Sequence, residues 1–364
     1  MLETLREWVN FETPTGDEAR LNAFSRRVEA AFTAAGARVN RVPLAGGDLL
    51  SAQAGEGRRR LLLLGHMDTV FPLGEAERFD RENGRLYGAG VADMKAGLVI
   101  LVQLFRALSA ELPADWQLLA IVNADEESGS RASRPVIERL AAGAEACLCF
   151  EASAPGECTI ERKGIVSFRV DVKGCAAHAS GGDPGRKSAI RALTALANQL
   201  YALETDDLRV NIGTLSGGER ANVIASRASL TGEARAFSAD ALAAFLHQAR
   251  ALAERMDTVH ATLSVVSSRP PMPRTAGGER LLTLAQACAA RKGYALRERA
   301  RGGGSDGSLV AALGVPVLDG MGAEGARAHT RREYVVEDTL SLRLQLALDT
   351  AREILRAPRT VNDD

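Results

Sequence analysis

Apolar positions in the first 150 residues fall into two kinds of run. Short continuous runs at residues 61–64, 117–122 and 146–150 read as strands buried on both faces. A longer one at residues 96–108 is the length of a helix. Thr15-Gly16-Asp17-Glu18 has the spacing of a capping box and opens an amphipathic helix that runs to about residue 35 and ends at Gly36. Doubly buried strands separated by helices predict a largely parallel sheet in an α/β domain.

After Gly164 the period changes. Residues 166–173 alternate strictly between apolar and polar, which marks a sheet with one wet face. A helix at about 186–203, strands near 208–215 and 228–237, a helix capped by Ser238 and a strand at 261–266 follow. The order β-α-β-β-α-β is that of a ferredoxin-like domain of roughly 110 residues. Arg269-Pro270-Pro271-Met272-Pro273-Arg274 forms a Pro-rich return, beyond which helix and strand patterns resume at 278–286, 315–318 and 337–355. The predicted organisation is one discontinuous α/β domain, residues 1–163 and 273–364, interrupted by a ferredoxin-like α+β insert at 164–272.

Composition narrows the function classes. A length of 364 residues fits two domains, and 46% hydrophobic with 25% charged residues excludes a disordered chain. Lys and Arg number 45 against 46 Asp and Glu, so the basic excess of a general nucleic-acid binder is absent. Five cysteines without a pairing pattern read as reduced thiols in a cytoplasmic protein. The N-terminal residues carry acids rather than an apolar segment, and the longest apolar stretch falls well short of the ~20 residues that span a bilayer. The expected partners are therefore neither nucleic acid nor membrane.

Ligands of open α/β sheets sit beyond the carboxyl ends of the strands. The run at 61–64 leads to Gly65-His66-Met67-Asp68-Thr69, and that at 117–122 to Asn123-Ala124-Asp125-Glu126-Glu127-Ser128-Gly129. The run at 146–150 leads to Glu151, and the last precedes a loop with Glu324 and Ala328-His329-Thr330. Asp93 lies in a loop just before the helix at 96–108. Taken singly, each has an ordinary reading: a solvated turn, an acid favoured at a helix start, a surface histidine. Together at strand ends they form a crevice of carboxylates that would repel unless a cation neutralised them. His and Asp/Glu ligands without thiolates suit Zn²⁺, with Mn²⁺ or Co²⁺ as substitutes. Two histidines and three or four acids exceed the needs of one ion and match two bridged by a carboxylate.

Two lookalikes drop out. Leu215-Ser216-Gly217-Gly218-Glu219 resembles an ABC-type ATPase signature, but every lysine follows Met, Arg or Val, so no Gly-Lys phosphate loop exists. Gly88-Ala89-Gly90 starts like a dinucleotide fingerprint, yet position 93 is Asp.

The ordered motifs Gly65-His66-Met67-Asp68-Thr69-Val70, Gly90-Val91-Ala92-Asp93-Met94-Lys95, Asp125-Glu126-Glu127-Ser128-Gly129-Ser130, Phe150-Glu151, Ala177-His178-Ala179 and Ala328-His329 resemble those of the di-zinc aminoacylase/carboxypeptidase family. Within it the motifs are most similar to bacterial glutamate carboxypeptidases. The resemblance implies a zinc-peptidase catalytic domain with a ferredoxin-like lid through which the chain forms a homodimer. It implies two Zn²⁺ per chain, with Asp93 bridging, His66 and Glu151 completing one site, and Glu127 and His329 the other. Asp68 would hydrogen-bond a ligating imidazole, and Glu126 would be the general base acting on the bridging water. His178 would reach the partner's active site and help bind the oxyanion. Asn222, Arg235, Arg269 and the Gly303-Gly304-Ser305-Asp306 turn become candidates for the substrate's free carboxylate, Arg274 being an alternative to Arg269. A cis, non-proline Asp93-Met94 bond is also implied. Lys95-Ala96-Gly97 departs from the family's usual Lys-Gly-Gly.

The expected function is a cytoplasmic zinc-dependent exopeptidase that hydrolyses the amide next to a C-terminal amino acid, glutamate being one candidate, in a peptide or N-acyl amino acid. The alternatives are an N-acyl amino acid deacylase of the acetylornithine or succinyl-diaminopimelate type and, from another class, a non-catalytic scaffold homologue.

Overall fold

The computed structural model describes residues 1–181, 187–256 and 258–358. The chain divides into two compact units, one of residues 1–161, 274–300 and 305–364, the other of residues 162–273 and 301–304.

The first unit is built on a six-stranded sheet in the order Arg38–Val42, Leu49–Ala54, Trp116–Asn123, Arg59–His66, Ala146–Cys149, Val317–Leu318. The last four run parallel, whereas Leu49–Ala54 is antiparallel to both of its neighbours. Leu61 to Leu64 and Leu118 to Val122 are buried at every position, so both faces of these strands are covered. The helix Ala96–Ser109 is apolar almost all round and lies inside the core with Leu63, Leu118 and Leu346. Its Gly97 sits where a Cβ would come 2.0 Å from the Phe150 carbonyl oxygen, so helix and strand end meet backbone to backbone. Ala96, by contrast, is buried with its methyl accommodated, so the departure from Lys-Gly-Gly falls where a side chain fits. Among the described residues no helix is long and apolar enough to cross a membrane.

The second helix of this unit, Glu18–Ala34, departs from the capping-box expectation. Its N-cap is Asp17, whose carboxylate accepts from the Arg20 N–H at 3.1 Å. Thr15 is left for another task, described below. A small antiparallel sheet, in the order Gly325–Ala326, Tyr334–Val336, Arg85–Tyr87, Asp80–Glu82, is also absent from the sequence expectation.

The second unit is a four-stranded antiparallel sheet in the order Arg209–Gly217, Arg227–Ala236, Gly164–Lys173, His260–Arg269, with the helices Ala189–Tyr201 and Ala239–Glu254. Arg186, where the sequence pattern begins the first of these helices, lies outside the described residues. Val166, Phe168, Val170 and Val172 point to the core formed with Leu193, Leu196, Leu200 and Phe245, and the alternate positions are wetter. Ser238 caps the second helix by accepting from the Ala241 N–H. Arg301–Gly304 belongs here because Arg162 bridges to both Met272 and Arg301 and donates to the Gly303 carbonyl at 3.2 Å.

Candidate metal centre

Register decides what the parallel strands deliver. His66 pairs with Asn123 and Leu64 with Cys149, so the three strands end side by side. The residues that follow them, His66 to Asp68, Asp125 to Glu127 and Glu151, therefore emerge at one edge of the sheet. Asp93 comes from the loop preceding the helix Ala96–Ser109, where Gly90 adopts a φ of +72° and the Asp93-Met94 peptide is cis. His329 comes from the hairpin between Gly325–Ala326 and Tyr334–Val336 and itself has a φ of +65°. A left-handed non-glycine residue is costly and persists where surrounding structure enforces it.

These groups converge. His66 Nε2 lies 3.1 Å from Asp93 Oδ1 and 3.7 Å from Glu151 Oε1. His329 Nε2 lies 3.1 Å from Asp93 Oδ2 and 3.2 Å from Glu127 Oε2. Asp93 thus offers one oxygen to each imidazole. Asp68 is fully buried behind His66, with its Oδ1 3.3 Å from Nδ1 and its carbonyl oxygen 3.1 Å from the same nitrogen. Its carboxylate also accepts from the N–H of Glu126 and of Glu127, each at 3.1 Å, and from the Thr15 hydroxyl at 3.0 Å.

The electrostatics are those of a cluster short of positive charge. Burial pushes Glu127 up to about 7 and, with Asp93 nearby, raises Glu151 well above the carboxylate range. Burial alone would lower His66, but hydrogen bonds to Asp68 and Asp93 raise it well above its usual value. Hydrogen bonds to Asp93 and Glu127 carry His329 up to about 11. Burial works to raise Asp93, yet the two imidazoles hold it below the carboxylate range. Protons here do the work that a cation could do.

The donor set suits a metal. Ligand atoms of His66, Asp93 and Glu127 lie within 4.8 Å of one another. Glu127 Oε1 is buried without a hydrogen-bond partner among the described residues, a costly state that coordination would relieve. Imidazoles and carboxylates with no thiolate match Zn²⁺, Mn²⁺ or Co²⁺.

Two buried acids that sequence reasoning missed organise the surroundings. Asp125 accepts from the N–H of Ala132 and Ser133 and so closes the turn after Glu126 and Glu127. Glu333 accepts from the N–H of Gly90, Ala92 and Asp93 at 3.1, 2.7 and 2.9 Å. Asp125 opens a quoted motif without a role assigned to it, whereas Glu333 follows Arg331-Arg332 and reads as part of a solvated charge run.

The remaining sequence candidates are distributed differently. Ser305 is fully buried, its hydroxyl donating to Asp319 Oδ2 at 2.6 Å and accepting from the Gly307 N–H. That hydroxyl is committed to the fold, which leaves only the backbone of Ser305 for a ligand. His178, Asn222, Arg235, Arg269 and Gly304 belong to the second unit. His178 is exposed and its Nδ1 lies 2.7 Å from Ser180 Oγ; Asn222 is exposed too. Arg235 pairs with Glu233 at 2.6 Å and donates to the Gly302 carbonyl. Arg269 is buried beside Gly304, where a Cβ would come 2.9 Å from Arg269 Cδ. Arg274, in the first unit, is occupied by Glu161, Glu279 and Glu298.

Comparison with known proteins adds the family dimension. Residues 62–353 match Peptidase family M20/M25/M40. Carboxypeptidase G2 of Pseudomonas sp. (strain RS-16) is 30% identical over 365 residues, covering 95% of this chain and 87% of its own. A succinyl-diaminopimelate desuccinylase of Halorhodospira halophila is 27% identical, covering 97% of this chain and 98% of its own. Among solved structures, a tripeptidase from Staphylococcus aureus superimposes with a TM-score of 0.83 at 22% identity over 98% of both chains. A dinuclear metal-binding peptidase from Bacillus subtilis does so with a TM-score of 0.76 at 18% identity over 98% of both.

Proposed function

This chain belongs to peptidase family M20/M25/M40 and is a metallohydrolase, and on that premise we propose that it is a di-zinc carboxypeptidase acting on the amide next to a C-terminal amino acid. The observation that carries the reading is Asp93 standing between two imidazoles, 3.1 Å from each through different oxygens. Asp93 would be the shared ligand, with His66 and Glu151 holding one ion and His329 and Glu127 the other. Two Zn²⁺ ions, when bound, supply the positive charge that acidifies water and stabilises an oxyanion.

The chain's own residues do the rest. Asp68 fixes the tautomer of His66 by occupying Nδ1, which leaves Nε2 for coordination. It also fixes the turn that carries Glu126. Glu126 takes a proton from the attacking water and hands it to the leaving nitrogen. Glycine at 304 permits close approach of a ligand, and Arg269 suits a substrate carboxylate because its fork pairs in bidentate fashion. Asn222 and Arg235 serve the same carboxylate. The residue 164–272 domain dimerises, and His178 donates to the oxyanion in the partner's site. A cytoplasmic location agrees with five free cysteines.

A second reading, an N-acyl amino acid deacylase, is favoured by the desuccinylase relative and by an acetylornithine deacetylase of Edwardsiella ictaluri that is 29% identical over 194 residues. Both readings use the same chemistry and differ in the substrate pocket. A hydrolysis screen with zinc, manganese or cobalt separates them. Cleavage of acyl-glutamate and dipeptides supports the carboxypeptidase, and preference for acetylornithine or succinyl-diaminopimelate supports the deacylase. Absence of amide hydrolysis with every metal and substrate overturns both.

A further inference from the structure

Asp93 is gripped at both ends by one hairpin. His329 reaches its side-chain oxygen at 3.1 Å, and Glu333, four residues further on, accepts from its backbone N–H at 2.9 Å. Glu333 Oε1 takes the N–H groups of Ala92 and Asp93 together, and Oε2 takes that of Gly90. The side chain is 1% exposed, so these bonds are shielded from water and replace a solvation the carboxylate has lost. Three N–H groups converging on one side chain define where the loop lies, because each is a directed hydrogen bond to a fixed oxygen. The loop they fix is the one that turns at Gly90 and delivers Asp93.

From this geometry we infer that Glu333 is a positioning residue for Asp93, an inference that rests on the dinuclear reading above. Its carboxylate sets the direction of the Asp93 Cα–Cβ bond, and therefore whether the two oxygens can face the His66 and His329 sides at once. The same hairpin carries His329, so imidazole and carboxylate keep their relation to Asp93 as one piece. Glu333 touches neither imidazole in this role and acts through the loop backbone.

The test strips the full-length protein of metal and titrates it with zinc alone, following uptake by calorimetry and the zinc-induced rise in Tm. Glu333→Ala removes all three acceptor contacts, while Glu333→Gln keeps the oxygen facing Ala92 and Asp93 and loses the one facing Gly90. Zinc affinity is expected to fall about 10–100-fold in Glu333→Ala, the range found when a group supporting a metal ligand is removed. Glu333→Gln should lie between Glu333→Ala and wild type, with a correspondingly reduced rise in Tm. A glutamate serving only the fold would lower the Tm of the metal-free protein and leave zinc affinity unchanged, and that result overturns the inference. Should Glu333→Ala fail to fold, Glu333→Gln decides alone, and wild-type zinc affinity in it overturns the inference. Wild-type protein that takes up no zinc removes the dinuclear reading as well, whereas two ions in wild type and unaltered variants refute only the role of Glu333.

Discussion

Asp68 holds Glu126 by its backbone, its Oδ1 accepting the Glu126 N–H at 3.1 Å while the same oxygen lies 3.3 Å from the Nδ1 of His66. One buried carboxylate therefore sets a candidate metal ligand and a candidate base together. Asp68→Asn exchanges one oxygen for an amide that cannot accept from a facing N–H. Turnover should drop about 10–100-fold with the fold intact, and a steady-state assay beside circular dichroism checks it.

Glu126 is half-buried and follows the strand Trp116–Asn123, whose parallel neighbour Arg59–His66 ends in His66. Glu126→Ala should cut kcat by about 10²–10⁴, the usual contribution of a general base, with two metal ions per chain retained. Metal analysis of the purified variant is the control. Loss of metal along with activity would move Glu126 from proton transfer to coordination.

His178 is exposed and hydrogen-bonds Ser180, so its replacement costs the fold little. His178→Asn should lower kcat by about 10²–10³, as removal of an oxyanion donor does, with dimer and metal content preserved. Mixing it with a protomer inactive through Glu126→Ala should restore part of the activity if the histidine acts across the dimer. A His178→Asn enzyme as fast as wild type would strike this residue from the site.

Metal removal should give stability an unusual pH dependence. In the metal-free protein burial carries Glu127 and Glu333 from an ordinary 4.5 up to about 7. Between those values the folded state keeps protons that the unfolded state has released, so stability falls as pH rises from about 4.5 to 7. Lys95, lowered by burial from 10.5 to about 7, works in the opposite direction only above that window. Thermal melts of chelator-treated protein should show Tm decreasing from pH 5 to 7. Zinc should flatten the slope by competing with the proton on Glu127, and identical slopes with and without zinc would contradict coordination by that residue.

The sequence was most readable where burial was most complete. Continuous apolar runs located the strands Arg59–His66, Trp116–Asn123 and Ala146–Cys149 to within a few residues, and strict alternation located Gly164–Lys173. Because ligand-bearing positions follow such strands, His66, Glu127 and Glu151 stood out without any structure. Arg38–Val42 escaped because none of its residues is buried, and Leu49–Ala54 because its buried run is interrupted by the polar Ser51. Thr15 matched a cap signature, yet Asp17 took the cap and Thr15 bonded Asp68, a partner 53 positions away. Glu333 was invisible for a similar reason, since its three donors lie about 240 positions earlier and nothing local distinguishes it from a solvated acid.

The contact of Gly97 with the Phe150 carbonyl has a consequence for how this protein can vary. Phe150 directly precedes Glu151, and Gly97 lies in the first turn of the helix just after Asp93, so a main-chain approach helps gauge the gap between these two acids. Side chains elsewhere in the core can be exchanged for others of similar volume, and their small readjustments need not alter that gauge. Drift in the hydrophobic interior is thereby insulated from the spacing of the charged groups, and a single methyl at position 97 would couple the two again.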